Sequence, residues 1–279
     1  MIVVTGVTGN VGRLLVEALA AAGEEVTAVS RRPGAAPLPE GVRHRSADLA
    51  RPEGPKAAFA GADAVFLLVA GVGDELRPRE IVAAAVAAGV RRVVLQSSQL
   101  LGTRPDSVSH RPLREFEAAV RESGLEWTVL RPSGFASNAF LWADAVRTAR
   151  TVAAPFADVA LPVVDPADIA EVAAAALRED GHAGRTYVLT GPAPVTPREQ
   201  VAALARAVDA PVRFVGQTRD EAREQLVRFL PEAAVEGMLT VLGEPYAEEQ
   251  RVSPDVERVL GRPGRPFSAW AERNAFAFV

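Results

Sequence analysis

Ile2-Val3-Val4-Thr5-Gly6-Val7-Thr8-Gly9-Asn10-Val11-Gly12 is the stretch that decides the fold. Its first four residues are all β-branched and uninterrupted, the pattern of a strand buried on both faces. Glycines then fall at 6, 9 and 12, and beyond them Val11, Leu14, Leu15, Ala18, Leu19 and Ala22 line one face of a helix that Gly23 stops. Strand, glycine turn and helix in that order predict an anion site. The chain must turn sharply, its backbone must come close to a pyrophosphate, and the helix N-terminus presents free N–H groups and partial positive charge. A dinucleotide is expected here, held by Gly6, Thr8, Gly9, Asn10 and Val11; the alternative is a loop that only turns.

The same rhythm runs on through the first half. Short runs at Glu25–Ser30, Val42–Ser46, Ala64–Val69, Arg92–Ser97 and Trp127–Arg131 read as strands, with Val42–Ser46 a short third strand and Ala64–Val69, the fourth, apolar throughout. Between them lie a helical stretch from about Glu75 to Ala88 and another carrying Leu113, Phe116 and Val120. Alternating strands and helices predict an α/β fold, a doubly wound parallel sheet with helices on both faces. After Pro132 the pattern changes: Phe135 to Trp142 is rich in aromatic residues, and Asp165-Pro166-Ala167-Asp168 has the cap, proline and acidic residue of a helix start. Residues 1–132 are therefore read as the dinucleotide-binding core, with about 151–190 also returning to the sheet. Residues 133–150 and 191–279 are read as a smaller, mostly helical substrate lobe.

Composition narrows the function. The chain has 279 residues, 48% of them hydrophobic and 24% charged, with a net charge of −4, so neither disorder nor binding of nucleic acid by phosphate neutralisation is expected. It has no cysteine, and its histidines, His44, His110 and His182, are scattered, which argues against a metal site and for a cytoplasmic protein. No apolar run approaches the roughly 18 residues a membrane helix needs, and the N-terminus lacks the basic region of a signal peptide. The oligomeric state stays open, a homodimer included.

The second strand ends in Ser30-Arg31-Arg32, where an NAD site usually has a carboxylate for the ribose hydroxyls. Two arginines suit the 2′-phosphate of NADP(H), preferred here over NAD(H); the alternative is a solvated basic turn.

Thr5–Gly12, the Ser30–Arg32 end, Ala47-Asp48-Leu49, Gln96-Ser97-Ser98, Ser123–Asn138, Val164–Leu177 and Gly184–Pro192 together resemble the NmrA-like branch of the atypical short-chain dehydrogenases. The resemblance spans residues 1 to about 215 and is loose beyond. It implies a Rossmann-type domain with a small C-terminal substrate lobe. It also implies that Asp48 and Leu49 lie by the adenine, Val69, Ala70 and Gly71 pass the ribose, and Ser97 approaches the nicotinamide. For Asp48 the alternative is a turn or cap residue. Phe135, Asn138 and Trp142 would line a pocket for a flat hydrophobic substrate; core packing, or for Asn138 a helix cap, is the plainer alternative.

The departure from that family concerns catalysis. Short-chain dehydrogenases use a tyrosine with a lysine four residues later. Here Tyr187 is followed four on by Gly191 and Tyr246 by Gln250, and the single lysine is Lys56. With Glu117 matched to the glutamate that trails the usual pair, Leu113 and Ser109 occupy the lysine and tyrosine positions. His110 is then the candidate proton donor, held neutral by its place at a helix N-terminus, with Arg114 on the same helix facing solvent; an idle loop histidine is the alternative. His44 and His182 read as surface residues. The leading expectation is an NADPH-dependent reductase of a small hydrophobic carbonyl, quinone or imine. The alternatives are a non-enzymatic NADP(H)-binding redox sensor and, with less weight, an isomerase or dehydratase.

Overall fold

The computed structural model describes residues 1–34, 37–68, 76–107 and 110–279. Strands β1 (Ile2–Thr5), β2 (Val26–Ser30), β3 (Arg43–Ser46), β4 (Ala64–Leu68), β5 (Arg92–Gln96) and β6 (Glu126–Pro132) follow the expected order. Among the described residues they join β8 (Arg185–Leu189) in a seven-stranded sheet of order β3-β2-β1-β4-β5-β6-β8, parallel throughout. The chain moves outward from β1 to β3, then restarts at β4 on the other side of β1. That reversal is the topological switch point of a doubly wound sheet, where a crevice opens at the strands' carboxyl ends.

Helices α1 (Asn10–Ala21) and α7 (Pro166–Arg178) pack on each other, and the small side chains of Ala170, Ala173, Ala174 and Ala176 on α7 permit close approach. Helices α2 (Gly54–Phe59), α3 (Pro78–Ala87) and α5 (Arg111–Glu122) bury Phe59, Ile81 and Phe116 against Val65, Leu67, Val93, Leu95 and Val129 of the sheet. Each such side chain contributes ~1.5–3 kcal/mol on leaving water. The two sheet edges are protected differently. The outer strand β3 is the charged Arg43-His44-Arg45, whereas the β8 edge is met by α12 (Asp255–Leu260), whose Asp255 Oδ2 accepts the Val188 N–H at 2.8 Å.

Two compact units divide the chain. Residues 1–132, 166–189 and 255–262 make the first; residues 133–165, 190–254 and 263–279 make the second. This departs from the expected boundaries at two places. Thr151–Pro155 (β7) stays out of the large sheet and pairs in parallel with β9 (Arg213–Gln217), burying Val152 and Ala154 on one side only. Conversely, residues 255–262 return to the first unit, because α12 buries Val256 and packs on β8 and α7. Within the second unit a core forms around Val146, Leu204, Phe267, Trp270 and Phe278. Buried Asp165 is there ion-paired to Arg273.

Candidate active site

The glycine turn sits at the switch point, and its glycines are demanded by contact. A Cβ on Gly12 would lie 2.3 Å from the Gly6 carbonyl oxygen, so α1 packs against the turn only if residue 12 has no side chain. Gly6 has φ +69°, and its Cβ would strike Leu68 Cδ2 at 2.6 Å. Thr5 ties the two central strands together here: its Oγ1 accepts the Leu68 N–H at 2.8 Å and donates toward the Phe66 and Leu68 carbonyls. Gly9 is the N-cap of α1 and offers no capping side chain. A first helical turn left uncapped by its N-cap residue, approached across a cradle that any Cβ would fill, fits a pyrophosphate.

Arg31 and Arg32 follow β2, both exposed and neither in an ion pair among the described residues. Their backbone is held, since the Arg31 carbonyl accepts from Ser46 Oγ and the Arg32 carbonyl from Ser30 Oγ. The loop continues beside the glycine turn, with a Cβ on Gly34 falling 3.6 Å from Thr8 Cγ2. Asp48 accepts the Ala50 N–H at 3.1 Å, the local turn bond named as its alternative role, and keeps a carboxylate 38% exposed. Leu49 packs against the core. Val69, Ala70 and Gly71 lie outside the described residues, as does Ser109.

At the far half of the sheet Ser97 is buried and donates its hydroxyl to Glu117 Oε1 at 2.6 Å. Glu117 also receives Arg131 through two bonds of 2.9 and 2.7 Å and pairs with Arg121 at 2.7 Å. The sequence marked Glu117 only as an alignment point. Its spacing held the signal, because 113, 116, 117 and 120 share one helical stripe and an acid on that stripe needs partners. Burial pushes its carboxyl up, but hydrogen bonds from Arg131, Ser97 and Arg121 outweigh burial and hold it below the ordinary glutamate range. The unfolded chain therefore takes up this proton more readily. The network's contribution is present above the ordinary glutamate pKa and lost as pH falls through the depressed native value. Glu117→Gln is expected to cost about 2–4 kcal/mol, discounted because both arginines reach solvent, and to flatten the acid limb of stability in denaturant titrations across pH.

His110 stands at the N-cap of α5, half-buried, with Nδ1 3.3 Å from Ser107 Oγ. Its pKa is lowered, as expected for a neutral ring, but burial comes first among the causes and the Arg114 charge second. Arg114 does not simply face solvent: its Nη1 donates to the carbonyls of Pro105 and Ser107. Nor is His182 a plain surface residue, since its Nδ1 meets the Tyr187 hydroxyl at 2.9 Å at the opposite end of the sheet from the glycine turn. His44 bonds Ser30 Oγ at 2.9 Å.

In the second unit Phe135 precedes a 3-10 helix, Ala136–Trp142, and bridges to Val164. Asn138 lies inside that helix and is exposed, so it is not the cap. Trp142 packs against the second unit's core. Among the described residues there is no cluster suited to a metal ion and no helix long and apolar enough to cross a membrane.

Residues 6–180 match the family model described as NAD(P)H-binding. The chain is 40% identical to (4-alkanoyl-5-oxo-2,5-dihydrofuran-3-yl)methyl phosphate reductase of Streptomyces griseus, over all of this chain and 99% of the relative. It is 34% identical to the NAD(P)H azoreductase of Xenophilus azovorans, again over all of this chain and 99% of the relative. Its fold resembles that of an NADPH-dependent quinone oxidoreductase from Escherichia coli solved with NADPH, at a TM-score of 0.80 and 22% identity, covering 98% of this chain and 99% of that one. With the glycine cradle at the switch point of a Rossmann-type sheet, the chain belongs to the NAD(P)H-binding family.

Proposed function

We propose that the chain is an NADPH-dependent reductase of a small hydrophobic acceptor: a quinone, imine, carbonyl or carbonyl-activated alkene. The observation that carries it is the start of α1, given no side-chain cap by Gly9, beside the exposed Arg31 and Arg32, which form no ion pair among the described residues: a cradle for a pyrophosphate next to two cations for a further phosphate. When bound, the dihydronicotinamide would supply a hydride, which carries both electrons, and the acceptor then takes one further proton. The proton is the part for which this chain has little machinery. Lys56 lies on α2, Tyr187 on β8 and Tyr246 at residue 246 in the second unit, so no tyrosine–lysine pair stands on α5. Conjugated acceptors tolerate that, because the charge left by hydride addition spreads onto carbonyl oxygens and water can protonate it. The substrate named for the Streptomyces griseus relative, a dihydrofuran with 5-oxo and 4-alkanoyl groups and a methyl phosphate, is a conjugated acceptor that also carries an anion. Phe135, Asn138 and Trp142 are proposed to line the acceptor site, and Ser97 to stand near the nicotinamide. The cytoplasm is the proposed location, and the oligomeric state is left open.

Anaerobic loss of dihydronicotinamide absorbance with a quinone, an acyl butenolide and a simple ketone tests this. Turnover of the conjugated acceptors is expected; NADPH binding without turnover of any would make the chain a dinucleotide sensor. His110, neutral and at a helix entrance, is proposed to donate a hydrogen bond to the developing oxyanion. His110→Ala is expected to slow ketone reduction by ~10²-fold or more, quinone reduction far less, and NADPH affinity not at all. The acidic inflection in the wild-type pH profile should lie below the ordinary imidazole value and vanish in the variant. Wild-type rates on every acceptor would leave His110 an idle loop residue.

A further inference from the structure

Gln96, the last residue of β5, carries a buried side-chain oxygen, Oε1, with no hydrogen-bond partner among the described residues. Such an atom is costly and rare in a folded protein and calls for an explanation, and the carboxyl end of a strand in a doubly wound sheet is where a ligand supplies one. Its position says which ligand. Side chains alternate between the two faces of a sheet, so Leu68, Gln96 and Leu130, in register across β4, β5 and β6, stand opposite Leu67, Leu95 and Val129. The latter three face the core built with α2, α3 and α5. Leu68 is the side chain that a Cβ on Gly6 would strike, which puts Gln96 on the glycine-turn face, two strands from β1. In a doubly wound sheet the strands on this side of the switch form the second mononucleotide half, opposite the half that ends in Arg31 and Arg32.

We propose that Gln96 binds the nicotinamide-bearing half of the dinucleotide, its Oε1 accepting a hydrogen bond from a carboxamide N–H or ribose O–H. This rests on the NADP(H) reading above. It makes Gln96 a residue for the reactive end of the cofactor, separate from the arginines that select its phosphate.

The test replaces Gln96 with methionine, which keeps the side chain's shape and removes the amide. Removing an unpartnered buried polar group should leave the melting temperature of the ligand-free protein unchanged or higher. NADPH should bind roughly three- to tenfold more weakly by calorimetry, while 2′,5′-ADP, which lacks the nicotinamide half, should bind as to the wild type. Gln96→Asn, which keeps the amide but withdraws it, should show the same selective loss and guards against a packing defect particular to methionine. Unchanged NADPH affinity, or equal losses for NADPH and 2′,5′-ADP, would overturn the assignment. So would a change confined to the acceptor's KM, which would make Gln96 a substrate contact. If the wild type bound neither nucleotide, the NADP(H) reading itself would fail and this assignment with it.

Discussion

Gly9→Val is expected to bring NADPH affinity below what calorimetry measures, with the far-UV helical signal and the melting transition close to wild type. Position 9 separates binding from folding, which its neighbours do not. Gly9 has φ −90° and ψ 172°, a conformation any residue adopts, and a Cβ there meets only the Gly6 carbonyl oxygen at 3.3 Å. Valine at this N-cap needs that carbonyl to give by a few tenths of an ångström and should cost about 1–2 kcal/mol of stability, which leaves the chain folded. At Gly12 a side chain would drive into the turn's own backbone, and at Gly6 it would add an unfavourable φ to a collision with Leu68, so both report on folding. What valine at 9 does add is a branched side chain over the first-turn N–H groups of α1, where the pyrophosphate has to lie. A folded Gly9→Val protein that binds NADPH like the wild type would place the phosphates elsewhere.

The parts of the molecule that were legible from the sequence are those governed by local chain physics. β1, the glycine turn and α1 follow from adjacent residues, and the central strands are continuous apolar runs because both their faces are covered. The strands of the second half were not legible. Thr151–Pro155 and Arg213–Gln217 are half-exposed and pair across some sixty residues, so nothing local distinguishes either from a loop. The return of residues 255–262 to the first unit is set by long-range contacts that no period encodes: the burial of Val256, the bond from Asp255 to the β8 backbone, and the Arg262 pairs with Asp168 and Glu171 on α7. At the site, the sequence offers candidates one by one, and their internal partners were not legible. Ser97 is joined to Glu117 across 20 positions, and Arg131 reaches the same carboxylate across 14. The unsatisfied Gln96 oxygen is invisible to any motif, since it is defined by what surrounds it.

Changing Arg31 and Arg32 together to alanine should weaken NADPH binding by about 3 kcal/mol, roughly two orders of magnitude, and leave NADH nearly untouched. A charge-assisted hydrogen bond to a phosphate is worth ~1.5–3 kcal/mol, and both side chains are exposed, so solvent and salt put each at the low end of that range. The selectivity follows from what the two guanidinium groups lack. Among the described residues no carboxylate pairs with either, while their backbone is fixed by Ser30 and Ser46, so the charges are anchored at the end of β2 and available to a ligand. NADH places only hydroxyls there, for which a cation offers little. The NADPH loss should shrink as salt is added to both proteins, because screening weakens the wild-type contact and has nothing to act on in the variant. Equal losses for the two cofactors would show instead that the arginines belong to a general basic rim that attracts the pyrophosphate from a distance. In that event the preference for NADP(H) would have to come from residues beyond the end of β2.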